Sequence, residues 1–121
     1  MKDLNEMREQ IRQFNLDRDW DKFHHPKDVL LALVGEVGEL AECYQWLTDE
    51  QLNAIKADPE KKRKIEEELA DVMMYLMILS YKTDVDLSKA VKEKLEKNKI
   101  KYPLDKSKGV HSNFIAGFKG D

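Results

Sequence analysis

A chain of 121 residues, 41% hydrophobic and 37% charged, describes one charge-rich domain with room for a single core and leaves two separate domains unexpected. Its 21 Lys+Arg against 24 Asp+Glu give a formal charge of −3, which removes the basic excess expected of a protein that binds a nucleic-acid polymer. No apolar run approaches the ~18 residues needed to span a bilayer, the first ten residues lack the apolar stretch of a signal peptide, and the lone Cys43 has no internal disulfide partner, so no membrane and a cytoplasmic location are expected.

In chain order, apolar residues recur every three or four positions and predict helices throughout, with no strand. Asp3, with Glu6 three residues on, predicts the start of a first helix whose core stripe is Leu4, Met7, Ile11 and Phe14. Residues 19–25 break the period and predict a loop carrying two aromatics and two histidines, and Pro26 is pre-set in φ to open the next helix. That second helix is expected to run from Pro26 to about Leu47, and its first half, Val29 to Val34, is apolar all round and so expected to be buried on several sides. Thr48 and Gln51 have capping-box spacing and predict a short helix to Ala57. Asp58-Pro59 restarts the chain into a helix reaching about Tyr81, and Asp86 is expected to cap a last helix that stops before Pro103. Residues 1–103 form the expected helical domain, with 104–121 a flexible C-terminal tail or an arm laid on a neighbouring subunit. The fold expected is all-α, a four-helix-type bundle completed by oligomerisation.

The chemistry lies in two segments, Glu36-Val37-Gly38-Glu39 and Glu68-Leu69-Ala70-Asp71, each placing two acids one helical turn apart on one face. Spacing alone carries little weight in so acidic a chain, but Glu36 and Glu39 sit in the most apolar helix and Asp71 opens the uncharged run Val72 to Tyr81. Burying a carboxylate is costly, and converging carboxylates repel unless cations neutralise them. The basic residues at 61–64 are expected to pair with Glu66 or Glu67 on the solvent side, leaving a divalent cation to fill the cage. An all-oxygen ligand set favours Mg²⁺, with Mn²⁺ as its substitute, and Mg²⁺ suits a phosphate-bearing substrate. Gly35 and Gly38 each cost about 0.5–1 kcal/mol inside a helix, which calls for close helix packing or for room around a ligand.

Trp46 lies seven residues after Glu39 and Tyr75 four after Asp71, so both are expected near the cage, and with Trp20, Phe23 and His24 they suit a planar ligand. Lys94, Asn98 and Lys101 share a face of the last helix and are residue types that contact phosphates. Core packing for the aromatics and a solvated face for the lysines are the competing readings.

Taken together, the E-x-x-E helix followed by an E-x-x-D helix resembles the mark of the MazG-like, all-α nucleoside triphosphate pyrophosphohydrolase superfamily. The string from Arg18-Asp19-Trp20 through Leu30 to Glu42 and Gln45-Trp46, with Lys94, Asn98 and Lys101-Tyr102-Pro103 later, is most similar to its dCTP pyrophosphatase branch. The resemblance implies that Glu36, Glu39, Glu68 and Asp71 bind Mg²⁺ and serve catalysis. It further implies that Trp20, His24, Trp46 and Tyr75 hold the nucleoside, and that Lys94 and Asn98 reach the phosphates. It implies cleavage of dCTP or a modified dCTP between the α- and β-phosphates, in a homodimer or a dimer of dimers. The family's base-contacting histidine of the first helix aligns with Ile11, which leaves dUTP or another noncanonical nucleotide open as the substrate. A non-catalytic helical interaction protein, with the acids in interhelical salt bridges, is the reading of another class.

Overall fold

The computed structural model describes residues 3–109, and among them every regular element is helical. The elements are α1 (Leu4–Asp17), a 3-10 turn (Asp21–Phe23), α2 (Pro26–Glu42), α3 (Asp49–Ile55), α4 (Pro59–Lys82), α5 (Leu87–Lys101) and α6 (Leu104–Ser107). They fall into two compact units divided after Leu87.

In the first unit α4 is the hub. α2 packs along it most extensively, α1 less so, and α3 touches it at one end. Each start is built by a local device. The Asp3 carboxylate accepts the Glu6 N–H at 2.8 Å, and Asp58 accepts the N–H groups of Glu60 and Lys61 at 3.2 Å. Pro26 and Pro59 occupy first-turn positions, where a missing N–H costs nothing. Thr48 and Gln51 form the expected capping box, each side chain accepting the other's backbone N–H.

α2 is shorter than its periodicity suggests, ending at Glu42 and not near Leu47. The N–H groups of Cys43, Tyr44 and Leu47 turn to carbonyls three residues back, tightening the chain into turns that deliver an extended Thr48 to its cap. The apolar first half of α2 is also less covered than expected. Val29 is buried, while Leu30, Leu31 and Val34 are 47%, 61% and 60% exposed in the single chain. Likewise the α1 stripe is only half covered, since Met7 and Phe14 stay exposed. The buried apolar residues among those described are Val29, Ile55, Met77 and Ile78.

The second unit holds α5 from Ser88 on; the helix starts directly after Asp86 and ends before Pro103 as expected. Beyond Pro103, where no period is readable, Leu104–Ser107 makes a helical turn. Residues 110–121 of the expected tail lie outside the described residues.

Candidate active site

The site is built where α2 and α4 lie side by side. Glu36 and Glu39 stand one turn apart on α2, and Glu68 stands on α4 facing them, so that one carboxylate oxygen from each lies within 4.8 Å of the others. Glu68 is buried, Glu36 half-buried and Glu39 exposed, which grades the cluster from interior to solvent. Asp71, one turn after Glu68, is exposed and outside that tight group, yet its charge reaches Glu36.

The electrostatics of the cluster are unresolved by protein groups. Oε2 of Glu36 and Oε2 of Glu68 are both buried without a hydrogen-bond partner. Loss of hydration pushes the Glu36 carboxyl above its ordinary value, and the adjacent Glu39, then Asp71 and Glu68, push it further the same way. The nearest cation is Lys64, whose Nζ lies 3.9 Å from Glu68 Oε1 and whose side chain is 66% exposed. The sequence expectation gave the basic run to Glu66 or Glu67; the i to i+4 spacing sends Lys64 to Glu68 instead. One solvent-screened ammonium at that distance does not balance the cluster. Crowded oxygens with buried, partnerless lone pairs and no nitrogen or sulfur donor are the chemistry that fits a hard divalent cation.

Beside the acids a cleft of about 540 Å³ opens between the end of α2, α3 and the first half of α4. Glu39, Glu42 and Glu68 line one part of its wall and Lys61 and Lys64 another. The lysines of this wall were not among the site residues read from sequence, and their i−4 relation to Glu68 was the available signal for Lys64.

The other expected site residues fall in four places. Tyr75 is half-buried on α4, one turn past Asp71 as its spacing requires. Trp20 and His24 flank the 3-10 turn: Trp20 packs edge-on against Phe14 with centroids 5.8 Å apart, and His24 is half-buried with Nδ1 lacking a partner. Trp46 lies in the turns after α2 and is 84% exposed, so the shared helical face with Glu39 does not exist. Lys94 and Asn98 lie four residues apart on one face of α5, in the second unit.

Comparison with known proteins shows what the chain is similar to. A model of the MazG-like family matches residues 32–115. The dCTP pyrophosphatase 1 of Rattus norvegicus is 42% identical over 106 residues, which cover 88% of this chain and 62% of that protein. The Homo sapiens dCTP pyrophosphatase 1 is 44% identical over 100 residues, covering 83% of this chain and 59% of that protein. The chain therefore spans less than two thirds of the length of these relatives. A crystal structure of a pyrophosphatase from Archaeoglobus fulgidus superposes with a TM-score of 0.73 at 36% identity, covering 85% of this chain and 94% of that one.

Proposed function

This chain belongs to the MazG-like family, and we propose that it is a nucleotide pyrophosphohydrolase converting dCTP or a modified dCTP to the monophosphate and pyrophosphate. The observation that carries this reading is the convergence of Glu36, Glu39 and Glu68 within 4.8 Å, with two buried oxygens left partnerless. The similarity to dCTP pyrophosphatase 1 supports the choice of base.

Glu36, Glu39 and Glu68, joined by Asp71, would hold the divalent cation, for which Mg²⁺ is the proposed identity and Mn²⁺ the substitute. When bound, the ion supplies Lewis-acid stabilisation of phosphoryl charge and activates water. The chain's own residues do the rest. Trp20, His24, Trp46 and Tyr75 hold the nucleoside, the aromatics by stacking, each stack being worth about 1–3 kcal/mol. Lys94 and Asn98 are assigned to the phosphates on the resemblance alone. Water adds to the α-phosphorus as the bond to the bridging oxygen breaks and pyrophosphate leaves, with positioning and fixed charge lowering the barrier. Glu39, the most exposed of the three converging acids, is the group this proposal assigns to take the proton from that water.

The same proposal includes a homodimer or a dimer of dimers. The uncovered Leu30, Leu31, Val34 and Val37 on α2 support it, because a lone chain gains nothing by exposing a stripe of that kind. The proposal includes a cytoplasmic site of action; no described helix is long and apolar enough to cross a membrane.

Pyrophosphate release measured with Mg²⁺ over dCTP, 5-substituted dCTP, dUTP and dTTP tests the reading. The highest kcat/KM is expected for dCTP or its 5-substituted form, and Glu68→Gln is expected to lower it by at least about 100-fold, the scale of losing one charge-stabilising group. Preference for dUTP would move the substrate to the noncanonical class, and no release from any of them would remove the enzyme reading.

A further inference from the structure

A polar network outside the acid cluster ties the loop carrying Trp20 and His24 to the C-terminal end of α4. Lys82 Nζ donates to both the backbone carbonyl and Oδ2 of Asp21, at 2.9 Å each. The same carbonyl accepts the His24 N–H at 3.1 Å. Just upstream, the Trp20 N–H donates to the Asn15 carbonyl at 2.9 Å, and the buried Asn15 side chain donates to the Tyr81 hydroxyl at 3.1 Å. Adjacent residues of one helix, Tyr81 and Lys82, thereby hold the chain on both sides of Trp20.

Burial does not do this job, since Trp20 and Phe23 are 47% and 63% exposed. The backbone enters the turn through Asp19 at φ 56°, a left-handed conformation that aspartate adopts more readily than most non-glycine residues. An ordinary surface ion pair joins two side chains and fixes little. Here one ammonium, on a side chain only 21% exposed, grips main chain and side chain of the same residue and so restrains the backbone itself.

We propose that Lys82 and Asp21 are positioning residues that hold Trp20 and His24 in register with the acids of α4 for recognition of the nucleoside. The inference rests on the nucleotide-hydrolysing reading above and names a specificity device within it. α4 is unbroken from Pro59 to Lys82, so Asp71 and Lys82 are kept about 16 Å apart along its axis. That fixed span sets where the loop stands relative to the phosphate chemistry. Loosening the clamp frees the loop without touching the carboxylates, and its cost falls on substrate binding.

The test uses the full chain with Mg²⁺ and dCTP, comparing wild type with Lys82→Met, Lys82→Arg and Asp21→Asn. Lys82→Met is expected to raise KM about tenfold with kcat within about twofold, the scale of one charge-assisted hydrogen bond. Lys82→Arg, which can still donate to both oxygens, should return KM to within about threefold of wild type. Asp21→Asn keeps the carbonyl half of the clamp and should raise KM by an intermediate factor of about three. The rise in melting temperature produced by Mg²⁺ should be the same in all four proteins. An active wild type whose KM is unmoved by Lys82→Met overturns this inference alone. Joint loss of kcat and of the Mg²⁺ shift in Lys82→Met and Asp21→Asn marks a merely structural pair and also overturns it. A wild type without turnover overturns it together with the functional reading.

Discussion

Glu36 and Asp21 are both carboxylates on the first unit, and their surroundings push them in opposite directions. Glu36 is raised from 4.5 by lost hydration and then by its acidic neighbours. In the metal-free protein this crowding opposes folding at neutral pH, so Glu36→Gln should leave the melting temperature unchanged or higher, while the Mg²⁺-induced rise shrinks or disappears. A calorimetric scan with and without Mg²⁺ reads both effects. Asp21 is lowered from 3.8, first by the hydrogen bond from Lys82, against a smaller opposing effect of burial. A depressed folded value means its stabilisation is present above pH 3.8 and is lost as pH falls through the lowered value. Asp21→Asn should therefore lower stability at neutral pH and flatten the acid limb of a melting-temperature profile.

At the scale of elements, α2 carries the most information and also the largest departure from expectation. The E-x-x-E pair was legible because a helix fixes its neighbours locally, one turn apart on one face. The helix end was not, because three-residue-back hydrogen bonds at Cys43, Tyr44 and Leu47 compete with the helical pattern without changing the apolar period. Trp46 fell outside the helix for that reason. The Asp21–Lys82 clamp was invisible for another: its partners are 61 residues apart, and nothing in a local pattern announces a lysine's long-range acceptor. Gly35 and Gly38 show a third case. A Cβ at either position meets nothing within 4 Å, so close packing inside the chain is not why they are there. They share one face with the uncovered Leu31 and Val34, where a second copy would dock. Gly35→Ala should accordingly stabilise the dilute subunit by about 0.5–1 kcal/mol in urea unfolding while weakening self-association in sedimentation. Unchanged or tighter association would deny that face its role between copies.

For the whole molecule, the all-α class followed from periodicity and the facing of acids from two helices from their apolar context, whereas the covering of those helices followed from neither. A sequence marks α2 as apolar on many sides but does not say whether the cover comes from its own chain. Leu30, Leu31, Val34 and Val37 stay 47–61% exposed in the single chain. Sedimentation of the full chain is expected to give a dimer or tetramer, and Leu31→Lys together with Val34→Lys should shift it toward monomer, since buried charge without a partner is costly. The central claim is the bond that is broken. Phosphorus NMR of a dCTP reaction with Mg²⁺ should show dCMP and pyrophosphate rising together in equal amounts, and both at least about 100-fold more slowly with Glu68→Gln. Accumulation of dCDP and orthophosphate, or no product at all, would contradict it.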